Sequence, residues 1–332
     1  MRNLMQMMFD LKKKTLDHIK LDLPDILEYT GEFGPELVLF LPFCNWLSKE
    51  GLIKDRKIST YKGMRCFYEG IECAGIIEKK TKRKYISVSD RPSWMPIKDE
   101  HTFHGLGMPS RFSYPDLRSK FIKRSESLNF FSSDKPLLVV HNKYNDEWNN
   151  GPINYISLDS LDRIFKELKR DYQIVYIRHS CDHDSKGYSQ DENTLFNFDD
   201  KDILSKHPEV ADFNELYHKH LKQNPLSDVN EFKNILYARC YYYITSQGGG
   251  AHQIALFKGS IMLILHKRGE EKKWAYRDGY YGFMADIPPI RLVVSSDEEL
   301  LCSLPLFHDT WVAGGRVHVN SSQKEIITKF SV

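Results

Sequence analysis

The stretch TSQGGGAHQIALF, residues 245–257, sets three consecutive glycines between an aromatic, β-branched run and a segment of helical period. Gly248, Gly249 and Gly250 permit positive φ and close backbone approach, and the helix they open leaves its first N–H groups without intrahelical acceptors. Those donors, with the helix dipole, make an anion site suited to a phosphate. Ser246 and Gln247 can add side-chain hydrogen bonds, and His252 can reach a phosphate or a sugar. The competing reading is a tight turn packed against a neighbouring group. The pattern is neither G-x-G-x-x-G nor G-x-x-x-x-G-K-[ST], and it falls late in the chain, which argues against a dehydrogenase or a P-loop enzyme. Lys143, in VVHNKYNDEW (139–148), and Arg178, in YIRHS (176–180), follow apolar runs and are placed to meet phosphate, as a point charge and a bidentate fork respectively. Their alternatives are a solvated loop lysine and a structural ion pair. In HSCDHDSKGYSQD (179–191), Asp182 and Asp184 form D-x-D flanked by His179 and His183. Such carboxylates suit Mg²⁺ or Mn²⁺, but the segment reads as a polar loop, and no metal or other cofactor is expected.

Several elements must position these residues. LLVV (137–140), SLDSLDRIFKELKR (157–170) and YQIVYI (172–177) read as strand, amphipathic helix and strand, with Ser157 or Asp159 as the cap. VNEFKNILYAR (229–239), CYYYIT (240–245), AHQIALF (251–257) and IMLILH (261–266) repeat the alternation. The alternation predicts a mainly parallel α/β sheet covered on both faces, with ligands beyond the carboxyl ends of its strands. In the front half, DILEYTG (25–31) and KISTYKG (57–63) read as strands. ELVLFLPFCNWLSKEG (36–51) between them fits either a helix or a strand followed by a helix. AGIIEKKTKRKYISVSD (74–90) reads as two strands joined by a basic turn. SSDKP (132–136) reads as a connector, dividing the chain into an N-terminal unit, 1–133, and a C-terminal unit, 137–332.

The bulk properties narrow the classes. A chain of 332 residues exceeds what one core usually supports, which favours two domains. A net charge of +2 is too close to neutral to suggest nucleic acid. No apolar run approaches the ~20 residues that span a bilayer, and the first twenty residues lack a signal-peptide pattern. The six cysteines have no C-x-x-C pair or zinc spacing, so buried thiols in a reducing, cytoplasmic compartment are expected. EKKTKRKY (78–85) reads as a solvated turn, its alternative being peripheral contact with a membrane surface.

The segment LYARCYYYITSQGGGAHQIALFKGSIMLILH (236–266) is similar to the donor-domain segment of the ADP-heptose heptosyltransferases, with Gly248 to Gly250 and His252 on matching positions. Ser246-Gln247 stand where that family has an aspartate before the glycines. YTGEFGPELVLFLPFCNWLSKEG (29–51) resembles the same family's first strand, glycine-acid turn and proline-containing helix, and YIRHS resembles the arginine-bearing strands of GDP-fucose fucosyltransferases. The resemblance implies a GT-B type glycosyltransferase: two Rossmann-like α/β domains facing a cleft, inverting and metal-independent, taking a nucleotide diphosphate sugar donor and a glycan or lipid-linked acceptor. It implies that the glycines, Lys143, Arg178 and His252 hold the donor. Inverting transfer also needs a base on the acceptor side. Glu36 matches the acidic position after the family's first-turn glycine. Asp90 ends the YISVSD strand on the ligand-facing edge, and Glu32 is a third choice. A nucleotide-sugar 2-epimerase and a non-catalytic nucleotide- or sugar-binding module are the alternatives.

Overall fold

The computed structural model describes residues 22–86, 92, 94–95, 112–126, 128, 131, 135–178, 195–276, 279–313 and 316–319. Asp90 and the D-x-D of Asp182 and Asp184, with His179 and His183, lie outside the described residues.

Two parallel sheets organise the chain. The N-terminal sheet has the order β1-β2-β3, from Ile26–Glu28, Lys57–Tyr61 and Gly75–Lys79. The C-terminal sheet has the order β6-β5-β4-β7-β8-β9. It comprises β4 (Leu137–Asn142), β5 (Gln173–Arg178), β6 (Ala211–Asp212), β7 (Tyr242–Ser246), β8 (Ile261–Leu265) and β9 (Ile290–Val294). All of its pairings are parallel. Counted within the sheet, this is the doubly wound order 3-2-1-4-5-6, which reverses direction between β4 and β7 and opens a crevice at their carboxyl ends. The glycine run directly follows β7. A short antiparallel pair, β10 (Thr310–Ala313) and β11 (Arg316–Val319), ends the described chain.

The uncertain segment after β1 is a helix throughout. α1 runs through Phe33–Pro35, a π-helical stretch Glu36–Phe40, and Leu41–Lys49. Pro42 explains how a helix tolerates a proline there. It has no N–H for the carbonyl four residues back, and that carbonyl, on Val38, accepts the Tyr114 hydroxyl at 2.7 Å instead. The helices that follow include α2 (Arg65–Tyr68), α3 (Leu117–Ser125), α4 (Leu158–Leu168), α5 (Asp200–Lys206), α6 (Phe213–Gln223), α7 (Val229–Arg239) and α8 (Gly249–Ala255). Local signals set their starts: Asp116, Ser157 and Asp228 accept the backbone N–H of Ser119, Ser160 and Glu231.

β3 is followed by a bridge at Arg83 and irregular chain to residue 86, and residues 87–90 of the expected second strand lie outside the described residues. The basic run is not wholly a solvated turn either. Lys80, Lys82 and Lys84 are exposed, but Arg83 is fully buried.

Packing joins the two sheets. One apolar cluster extends from Leu27, Phe40 and Phe67 beside the N-terminal sheet, through Phe121 of α3, to Tyr237, Tyr243 and Ile264. A second fills the other face of the C-terminal sheet, around Leu138, Phe165, Ile174 and Leu263. Helix α3 is tied to both sides. Buried Arg118 donates to the carbonyls of Lys258, Ala238 and Cys240 at 2.8 Å each, while Lys120 donates to those of Cys66 and Glu69. No helix among the described residues is long and apolar enough to cross a membrane.

Candidate functional site

A cleft of about 470 Å³ opens between the carboxyl ends of the two sheets. Its N-terminal wall is Glu32, Phe33, Gly34 and Pro35, from the turn after β1 into α1, with Tyr85 at the rim. The opposite wall comes from both sides of the switch point: His141, Lys143 and residues 145–149 at and beyond the end of β4, residues 246–250 and His252 at and beyond the end of β7, and Glu271. The strands bring these together because parallel pairing aligns the carboxyl ends of β4 and β7 side by side.

Each glycine of the triplet is bare for a different neighbour. Gly248 has φ of 125°, and a Cβ there would stand 3.3 Å from the Lys143 ammonium. A Cβ on Gly249 would come within 2.8 Å of the Phe33 ring, and one on Gly250 would overlap the His141 ring. Gly34 answers from the other wall, where a Cβ would lie 2.7 Å from His252. At Gly249 and Gly250 the missing side chains are therefore used by protein groups, which is the packed-turn reading of the motif. Gly248 alone combines a positive φ with a cation over its backbone.

Lys143 lies in the cleft wall and pairs with Glu147 at 2.8 Å. Glu147 is a hub that sequence reasoning missed. Its carboxylate also accepts from Asn154 through the backbone N–H and the side chain, both at 2.7 Å, and from Gln247 at 3.3 Å. Burial opposes its ionisation, but the Lys143 charge and these hydrogen bonds outweigh burial and hold the acid below its usual range. Asn142 fixes the strand end on which all of this hangs, bonding both the N–H and the carbonyl of Ile156 at 2.9 Å.

His252 also lines the cleft, fully buried, with Nδ1 2.9 Å from the Tyr281 hydroxyl. Burial drives its pKa down to about 4, so the ring is neutral at pH 7 and acts as a hydrogen-bonding group, not a cation. The aromatic-rich sequence EEKKWAYRDGYYGFM (270–284), of a kind that can stack on a base or sugar or simply pack, sends three of its tyrosines into the protein. Tyr276, Tyr280 and Tyr281 are buried in the core.

Two expected site residues are not brought to the cleft. Glu36 is completely buried inside the N-terminal unit. It forms an ion pair with Arg83 at 2.7 Å and accepts the hydroxyls of Tyr68, at 2.8 Å, and Thr60. With its oxygens engaged and no exposure, it has no path to an acceptor hydroxyl. Arg178 ends β5, one strand outside the switch point. Its guanidinium donates to the Phe198 carbonyl at 2.7 Å and pairs with Asp200 of α5 at 3.3 Å, which is the structural ion-pair alternative. Glu32, half-buried, is the front-half carboxylate that does line the cleft.

Trp148 is a second residue missed in the sequence. It and Asn149 both take left-handed backbone, φ 56° and 57°, which is uncommon without glycine. The Asp146 carboxylate sustains this turn by accepting from the N–H groups of Asn149 and Gly151. The indole is left about half exposed at the rim (52%), where few tryptophans are spared burial. The polar run NDEWNNG was the available signal. Among the described residues, no group of three or more His, Cys, Asp or Glu side chains is arranged to hold a metal ion.

No protein-family model and no curated protein matches the chain. Solved structures similar to it include the E. coli ADP-heptose LPS heptosyltransferase II, at 11% identity over 85% of this chain and 97% of that one, with a TM-score of 0.48. A glycosyl transferase family 9 structure from Veillonella parvula matches at 11% identity over 92% and 95%, TM-score 0.46. The wall teichoic acid polymerase TagF matches at 11% identity over 92% and 82%, TM-score 0.36.

Proposed function

We propose that the chain is a GT-B type, inverting, metal-independent glycosyltransferase whose cleft takes a nucleotide diphosphate sugar and a glycan or lipid-linked acceptor. The observation that carries the reading is the position of the cleft. It joins the switch point of a doubly wound sheet to the strand-end turn of a second parallel sheet, with Lys143 over the bare backbone of Gly248. The donor diphosphate meets Lys143, whose pairing with Glu147 holds the ammonium in place before a ligand arrives. Gly248 lets phosphate oxygens approach the backbone, and neutral His252 supplies a hydrogen bond without competing charge.

Glu32, the third choice, takes the role first expected of Glu36, while Asp90 lies outside the described residues. It stands on the wall opposite the donor residues, where an acceptor hydroxyl would lie. In the reaction, the acceptor oxygen forms a bond to the anomeric carbon as the bond from that carbon to the phosphate oxygen breaks. The leaving nucleoside diphosphate keeps the electron pair, and the hydroxyl proton passes to the Glu32 carboxylate. Lys143 stabilises the charge that develops on the departing phosphate.

Calorimetric titration of UDP, GDP and ADP sugars tests the donor site. One of them should bind the wild type, and Lys143→Ala should weaken it about tenfold or more, as expected for losing a hydrogen bond to a charged group. With an acceptor in hand, Glu32→Gln should lower kcat by about 10²–10⁴-fold while leaving donor affinity unchanged. Unchanged kcat would remove Glu32 from the base role.

A further inference from the structure

Besides Glu271, whose Oε2 faces His266 Nε2 at 3.4 Å, three side chains in the cleft wall carry a buried oxygen that no group among the described residues satisfies: Asn145 through Oδ1, Ser246 through Oγ and Gln247 through Oε1. All three are more than nine-tenths buried, at 7%, 2% and 2% exposure. An unpaired buried acceptor is costly, so three lining one cavity call for an explanation.

The amide orientations are set by chemistry. Gln247 faces the Glu147 carboxylate, an acceptor only, so it must present its NH₂ group there, at 3.3 Å. Asn145 likewise must give its NH₂ group to the Asp146 carbonyl, at 3.0 Å. Both amides are thus turned so that the carbonyl oxygen is the atom left over. Ser246, the last residue of β7, adds a hydroxyl that can accept as well as donate. The carboxylates of Glu147 and Glu271 line the same region. Leftover acceptor oxygens beside carboxylates suit a ligand rich in hydrogen-bond donors, and the phosphates are left to Lys143.

We propose that Asn145, Ser246 and Gln247 read the hydroxyl groups of the donor's sugar ring, instead of binding its phosphates as the sequence pattern suggested for Ser246 and Gln247. The inference rests on the donor reading above and adds to it which part of the donor these residues recognise. Vicinal ring hydroxyls each bring a donor to an acceptor already fixed in place, so the site discriminates sugars by which hydroxyls are present and how they are oriented. An analogue lacking one leaves a buried oxygen unpaired.

The test compares UDP with UDP-glucose, GDP with GDP-mannose and ADP with ADP-glucose by calorimetry, on the wild type, Ser246→Ala and Gln247→Met. The wild type should bind one sugar nucleotide more tightly than its parent diphosphate. Each substitution should reduce that advantage about three- to tenfold, the worth of one hydrogen bond, with the affinity for the parent diphosphate unchanged in Ser246→Ala. Ser246→Ala should not lower the melting temperature of the ligand-free protein, since its hydroxyl has no partner to lose among the described residues, so a binding defect there is not a folding defect. Equal weakening of diphosphate and sugar nucleotide would assign these residues to the nucleotide and overturn the proposal. So would an unchanged sugar advantage in both variants, or none in the wild type. If the wild type binds none of the six compounds, the donor reading itself fails and takes this inference with it.

Discussion

Glu36 illustrates how residue type and position can be right while the role is not. Its place at the start of α1 was legible from the glycine-acid turn, but the Arg83 guanidinium that neutralises it comes from 47 residues later, in a run that reads as a solvated basic turn. Removing one partner of a buried pair strands the other charge. Glu36→Gln should therefore cost about 3–5 kcal/mol of stability in denaturant unfolding, a loss that a base at the cleft surface would not produce. His252 makes a second prediction at this scale. Its folded pKa of about 4 lies below the ordinary histidine value of about 6.5, so the unfolded chain takes up a proton that the folded chain refuses. Stability is whole above about pH 6.5 and is lost as pH falls toward 4, by at most about 3 kcal/mol. His220, also lowered by burial, contributes in the same direction. Unfolding measured from pH 7 to pH 4.5 should show this slope, and His252→Gln should flatten it.

Among the elements, the start of α8 against the start of α1 sets the site. Backbone meets backbone there because Gly34 and Gly249 face each other, with their Cβ positions reaching into His252 and Phe33 respectively. Gly249→Ala forces either Phe33 or the whole helix to shift, and overpacking of this kind costs about 1–3 kcal/mol. A lowered melting temperature in Gly249→Ala, restored in part by Phe33→Leu in the same chain, is the expected outcome. Full additivity of the two changes would show that the ring and the glycine are not coupled. The secondary structure around this joint was readable from periodicity and capping: α7 has the expected bounds, and β7, α8 and β8 fall within two residues of theirs. What the glycines are bare for was not readable, because Phe33 and His141 are brought to them only by the packing of distant segments.

Over the whole molecule, the proposed division into units 1–133 and 137–332 meets a shared core. The apolar cluster beneath the cleft runs without interruption from β1 to β8, and Arg118 of α3 caps carbonyls at the end of α7 from across the proposed boundary. Large hydrophobic contact between units couples their unfolding. Differential scanning calorimetry should give one transition, with calorimetric and van't Hoff enthalpies equal. Two separated transitions would mean that the units fold on their own and that the interface is weak. A second probe of the same coupling is Arg118→Met, which leaves several buried carbonyls unpaired and should lower the temperature of the single transition for both sheets together.

The sequence by itself determined the class of fold. Hydrophobic period, caps and strand-ending polar residues act over a few neighbours, so parallel α/β alternation and the placing of Lys143 and the glycines at strand ends were visible in a linear reading. Tertiary structure alone decided which of those strand ends share a cleft. Strand order put β7 beside β4 and left Arg178 one strand too far out, while burial and a distant arginine withdrew Glu36 from solvent. Strand pairing and desolvation depend on where the whole chain folds, and neither is written in any local run of residues.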